Sequence, residues 1–137
     1  MSTEIEKRIS DSFASQSMMR TFNAEIVSIT KGEVVLRAPI LPLARQQMGF
    51  GHAALSFALG DTAAGYAALT TLADGQEVVT AEIKINLLAP AQGEYLIATG
   101  RVIKPGRRLV IVSATVTAFD GGEARDVAVM QGSMMPV

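Results

Sequence analysis

The chain has 137 residues, 49% of them hydrophobic and 18% charged, enough for one domain with its own core and unlike a disordered, solvating chain. Twelve basic residues against thirteen acidic ones leave a net charge of −1, so there is no electrostatic footprint for nucleic acid or an anionic membrane. With no cysteine and a single histidine, His52, the composition excludes disulfides, thiolate catalysis, cysteine–zinc sites and a multi-histidine metal site within one chain.

The opening "MSTEIEKRIS" is charged and lacks a signal-peptide apolar stretch, which makes the cytoplasm the expected location. From Ser2 to Phe22 the pattern predicts one or two amphipathic helical turns, capped by Ser2 or Thr3, with Ile5, Ile9 and Phe13 on one face. "AEIVSI" and "EVVLRAPI" alternate around "TKGE" and read as a hairpin. "LPLARQQMGFG" is a loop punctuated by Pro42, Gly49 and Gly51. A helix from about His52 to Leu72 follows, with Gly75 as its left-handed cap. It is apolar nearly all round, broken by Asp61 and rich in alanine and glycine, so it is a poor membrane span and a good buried helix.

The period then switches to two. "EVVTAEIKINLLAP" places Ala81, Ile83, Ile85 and Leu87 on one face and Glu82, Lys84 and Asn86 on the other. "EYLIATGRVIK", "RLVIVSATVTAF" and "ARDVAVMQGSMM" are three further strands, joined by short turn-forming links suited to antiparallel neighbours. No repeat, low-complexity run or linker divides residues 1–137, which read as a single domain. One antiparallel sheet of about six strands, curled around the long helix, covers that helix most economically. The class is therefore α+β, and the outer sheet face and the open flank of the helix are left for a second chain.

Asp61 is the chemical oddity of the long helix. Read from the residues alone, it is either a carboxylate held at a kink by Gly60 or paired with an arginine, or a reactive acid tuned by apolar surroundings. Ahead of it, the helix start at Ala53 presents unpaired amide donors and a partial positive charge, suited to an oxyanion. Ala53 and Ala54 also read as plain packing residues.

"GFGHAALSFALGDTAAGYAAL", followed by "VTAEIKINLLAPAQGEYLIATGRVIKPGRRLVIVSATV", resembles the hotdog-fold acyl-CoA thioesterases of the phenylacetic-acid-pathway (PaaI-like) type. The resemblance runs from about Phe13 onwards. It rests on a histidine-glycine-glycine motif, here His52-Ala53-Ala54, on the acid nine residues after that histidine, and on "KINLLAPA". It implies the hotdog fold and hydrolysis of an acyl- or aryl-acyl-CoA with no metal or redox cofactor, coenzyme A being part of the substrate. The acid at Asp61 would attack the thioester or activate the water that does, and the Ala53 N–H would hold the oxyanion. The motif's two glycines are alanines here, which bears on the width of the substrate channel more than on the chemistry.

The resemblance also gives His52 a supporting role, and Gln46 or Gln47 a reach to the thioester or the water. Thr80 would be the hydroxyl that holds the water, although a β-branched residue needs no functional reason in a strand. Arg107 and Arg108 are either solvated loop residues or a grip on the coenzyme A phosphates, with Lys84 and Asn86 weaker candidates of that kind. Phe50, Phe57, Leu88 and Met48 supply apolar walls, beside Ala54. Homodimers that share active sites, often paired again into tetramers, are implied as well. Geometry asks for the same sharing, because eight residues separate Ala53 from Asp61, roughly 12 Å along a helix. Two other readings stand beside hydrolysis: a non-catalytic acyl-CoA-binding protein, and a hotdog dehydratase or hydratase that pairs a histidine with an acid.

Overall fold

Period-two alternation in six segments builds a single antiparallel sheet in the computed structural model, which describes residues 3–137. Helices α1 (Thr3–Ser15) and α2 (Ser17–Thr21) lead into strands β1 (Glu25–Thr30) and β2 (Glu33–Pro39). A 3-10 turn at Pro42–Ala44 and the long helix α3 (Ala53–Leu69) follow. Strands β3 (Val78–Leu87), β4 (Tyr95–Lys104), β5 (Val110–Asp120) and β6 (Glu123–Pro136) complete the chain. The spatial order is β1-β2-β4-β5-β6-β3, so β1 and β3 are the edges.

The sheet curls around α3 because its inner face is a continuous run of small and branched apolar side chains. Val34, Leu36 and Ala38 of β2, Leu96 and Ala98 of β4, and Val112, Ala114 and Val116 of β5 are all buried. They enclose Leu55, Leu59, Ala63 and Ala67 of α3, which are fully buried as well. The helix runs without a break through Gly60. The glycine's missing side chain makes room for Met130 of β6, whose sulfur a Cβ there would overlap.

Both longer helices differ in extent from the sequence reading, and β3 ends at Leu87, short of Pro90. Helix α1 runs for 13 residues instead of one or two turns, because tertiary contacts hold its whole length. Ile9 is buried with Ile5 and Phe13 packed beside it, as the spacing predicts. Arg8 pairs with Glu77 (2.7 Å) and donates to the Gln76 carbonyl, while Ser12 and Gln16 hydrogen-bond the Tyr66 hydroxyl (2.9 and 2.7 Å). Of the two proposed caps, Thr3 is already a residue of the helix and Ser2 lies outside the described residues. Helix α3 ends at Leu69, not Leu72, since the hydroxyls of Thr70 and Thr71 donate to the carbonyls of Ala67 and Ala68. Gly75 is left-handed (φ 83°), but in the turn beyond the helix. No described helix is long and apolar enough to cross a membrane.

Candidate active site

The entry to α3 is fixed from both sides. The His52 N–H donates to the Ala44 carbonyl (2.9 Å), and the Gly51 N–H donates to the Ala91 carbonyl (2.7 Å). His52 is the N-cap, with extended backbone, and its Nδ1 accepts from the Ala54 N–H at 2.9 Å. That bond requires an unprotonated Nδ1, which puts the neutral ring's proton on Nε2. Ala54's amide is thereby occupied, whereas the amide of the exposed Ala53 has no hydrogen-bond partner among the described residues. One free donor thus stands at the positive end of a 17-residue helix.

Beside it lies a cleft of about 520 Å³, between the start of α3, the loop before it and the segment after β3. Its walls are apolar: Met48, Phe50, Leu87, Leu88, Pro90 and Val127 line it, and its polar lining side chains are Gln46, His52 and Ser56. Gln46 Oε1 accepts from the Met48 and Phe50 amides, so the side chain shapes the loop and leaves its Nε2 without a partner among the described residues. The two glutamines are distinguished here, as Gln47 is exposed and does not line the cleft. Ala54 and Phe57 also lie outside it, exposed on α3.

Asp61 occupies the flank of α3 that the sheet leaves open, one of a line with Ala53, Phe57 and Gly65 at four-residue spacing. Within one chain it is half-buried, not enclosed as the apolar helix suggested, because the curled sheet covers the other sides of α3. No cation pairs with it among the described residues. Its partner is Thr80, whose Oγ1 donates to Asp61 Oδ1 at 2.6 Å.

Strict alternation would send Thr80 to the outer face with Glu82, Lys84 and Asn86. A β-bulge prevents this. Thr80 pairs with Met134 and Glu82 with Ser133, leaving Ala81 as the extra residue. Val78 and Thr80 therefore share the helix side with Ile83 and Ile85, and Ala81, expected on that side, is exposed. Gly132 allows the bulge. Opposite Ile83 in β6, it is so close to β3 that a Cβ would overlap the Glu82 carbonyl.

The remaining candidates lie elsewhere. Arg107 and Arg108 sit exposed in the β4–β5 turn, lining with Lys104 an open hollow of about 700 Å³. That turn is at Thr80's end of the sheet, since Val110 pairs with Met134 and Met134 with Thr80. Lys84 and Asn86 line a separate hollow of about 670 Å³ on the outer sheet face, with Gln131 and Ser133, so one chain does not bring them to α3. Ala53, His52, Gln46 and Phe50 thus gather at one end of α3, and Asp61 and Thr80 two turns further on. Among the described residues, no cluster of three or more His, Cys, Asp or Glu could hold a metal ion. Sequence reasoning missed Ser56 and Gly132. Ser56 was visible as a lone hydroxyl residue in the first turns of the apolar helix, whereas Gly132 carries no local signal.

The thioesterase superfamily model matches residues 48–125, which span the end of the cleft loop, α3, strands β3 to β5 and the start of β6. A thioesterase family protein from Silicibacter pomeroyi has the same structure with a TM-score of 0.95 and 38% sequence identity, over 97% of this chain and 98% of that one. The PaaI protein from the phenylacetic acid degradation operon of E. coli has the same fold at 19% identity, with a TM-score of 0.85 over 97% and 93% of the two chains. A 1,4-dihydroxy-2-naphthoyl-CoA hydrolase from Listeria monocytogenes is 28% identical over 100 residues, 73% of this chain and 81% of its own. The chain belongs to the thioesterase superfamily and is a thioester hydrolase with the hotdog fold.

Proposed function

We propose that the protein hydrolyses acyl-CoA thioesters in the cytoplasm, at a site completed by two copies of the chain. The observation that carries this reading is the pairing of a free helix-start amide at Ala53 with a hydroxyl-held carboxylate at Asp61 on the same open flank. Asp61 Oδ2 has no partner among the described residues, and it takes the proton from water as hydroxide adds to the thioester carbon. The carbonyl oxygen becomes an oxyanion facing the Ala53 N–H; collapse of the intermediate expels the coenzyme A thiolate and leaves the carboxylic acid. Direct attack by Oδ2, through an anhydride that water then opens, is the variant separated by oxygen-isotope transfer from Asp61 into product in a single turnover.

Sharing follows from distance. Ala53 and Asp61 lie roughly 12 Å apart along α3, while a reacting carbon must be within about 3–3.5 Å of its attacker and its oxygen about 3 Å from the donor. Two α3 helices packed antiparallel about a two-fold axis bring each Ala53 to the other chain's Asp61. The unpaired edge of β3 and the open flank of α3 are surfaces such a dimer would cover, and dimers would pair again into a tetramer. The coenzyme A half of the substrate has a bound counterpart in a related fold: a Bacillus halodurans protein, 28% identical with a TM-score of 0.76, was solved with CoA. Arg107 and Arg108, at Asp61's end of the sheet, would hold its phosphates.

The test is thiol release from a panel of acyl-CoAs by the wild type and Asp61→Asn. Turnover by the wild type with a loss of about 10²- to 10⁴-fold in the variant is the expected outcome. Asn keeps the Oδ1 that Thr80 donates to, so folding and acyl-CoA binding should survive. Wild-type-like kcat in the variant, or tight binding without turnover in the wild type, overturns the reading.

A further inference from the structure

Ser56 is 2% exposed, one turn into α3, and its hydroxyl makes none of the hydrogen bonds among the described residues. Ser15, Thr21, Thr70 and Thr71 each return their hydroxyl to a carbonyl three or four residues back, the usual way a helix satisfies this group. Ser56 does not. No side-chain nitrogen or oxygen sealed from solvent lacks a partner, so its Oγ keeps an opening, and that opening is the cleft it lines. An alanine would favour the helix and leave no polar atom to satisfy. Folding therefore gives no reason for a serine here.

We propose that Ser56 is a specificity residue, its hydroxyl hydrogen-bonding an uncharged oxygen on the third carbon of the acyl group, so that preferred substrates are 3-hydroxy- or 3-oxoacyl thioesters. The inference rests on reading the cleft as the acyl pocket and Ala53 as the oxyanion donor. Ser56 follows Ala53 by three residues, roughly 4.5 Å along the helix axis, which is the separation between a thioester oxygen and a substituent two carbons further along the chain. Leu87, Leu88 and Val127 also line the cleft and no charged side chain does, so a carboxylate substituent would be stranded while a hydroxyl or ketone is met.

Recognition is measured apart from turnover with thioether analogues, in which a methylene inserted between sulfur and carbonyl blocks hydrolysis. Calorimetric Kd values are compared for the octanoyl, 3-hydroxyoctanoyl and 8-hydroxyoctanoyl analogues, on the wild-type protein and on Ser56→Ala. The wild type should bind the 3-hydroxy analogue about three- to tenfold more tightly than the unsubstituted one. Ser56→Ala should erase that preference and bind the unsubstituted analogue at least as well as before. The terminal hydroxyl should bring no gain in either protein. A wild type without the preference, a preference that survives in Ser56→Ala, or an equal loss for all three analogues overturns the proposal. Failure of every analogue to bind the wild type overturns it together with the acyl-pocket reading. The predicted pattern in a protein that turns over no thioester would uphold Ser56 and refute catalysis.

Discussion

Thr80 Oγ1 donates to Asp61 Oδ1 at 2.6 Å, joining the edge strand to the central helix. The bond aims one carboxylate oxygen and leaves the other for chemistry. Thr80 also lies 3.3 Å from Met134 Sδ, a buried methionine that closes the space behind it.

Thr80→Val removes the hydroxyl and keeps the branched shape and strand preference. A hydrogen bond to a charged group contributes about 1.5–3 kcal/mol, so kcat should fall roughly 10- to 100-fold with little change in KM. Thr80→Ser should restore most of it. Steady-state kinetics on one acyl-CoA checks both, and unchanged kcat in the valine variant would show that Asp61 is aimed by something else.

Gly132→Ala attacks the same contact from across the sheet. The new methyl meets the Glu82 carbonyl, so β3 and β6 must separate at the bulge. Overpacking of this kind costs about 1–3 kcal/mol, visible as a lower Tm. Activity should fall further than the lost folded fraction explains, because Thr80 moves away from Asp61. A stable, fully active variant would mean that the bulge does not need a glycine beside it in β6.

Replacing Arg107 and Arg108 together by alanine should raise KM for acyl-CoA. It should barely change turnover of the matching acyl-N-acetylcysteamine thioester, which lacks the phosphates. Some loss of kcat on acyl-CoA is compatible with remote binding lowering the barrier. Equal effects on both substrates would show that the arginines serve the turn and not the ligand.

Complementation tests the shared site. A chain carrying Asp61→Asn is mixed with one whose oxyanion site is blocked by Ala53→Trp, and the subunits are re-assorted. Neither parent should turn over, while each mixed dimer regains one intact site, made from the first chain's Ala53 and the second chain's Asp61. Verified heterodimers that stay inactive would rule out two-chain sites.

Much of this architecture is written in local pattern. Strands β2, β4, β5 and β6 read almost to the residue from period-two alternation, because one face of each is buried against the same helix. The helix start at His52, the acid at Asp61 and the family motif are equally local, since caps and short spacings are set within a few residues. What the chain pattern could not decide depends on partners far away in sequence. Thr80 reaches the helix side through a bulge at Ala81, which faces Met134 and Ser133 beside the Ile83–Gly132 pair, and without that bulge the alternation of "VVTAEIKINL" points it outward. The outward placement of Lys84 and Asn86 follows the alternation itself, whereas Gln46 is set apart from Gln47 by bonds within its own loop that spacing does not reveal. The openness of Asp61 was also a tertiary outcome: an apolar helix predicts burial, but one curled sheet covers only part of a cylinder, and the acid lies on the part left uncovered.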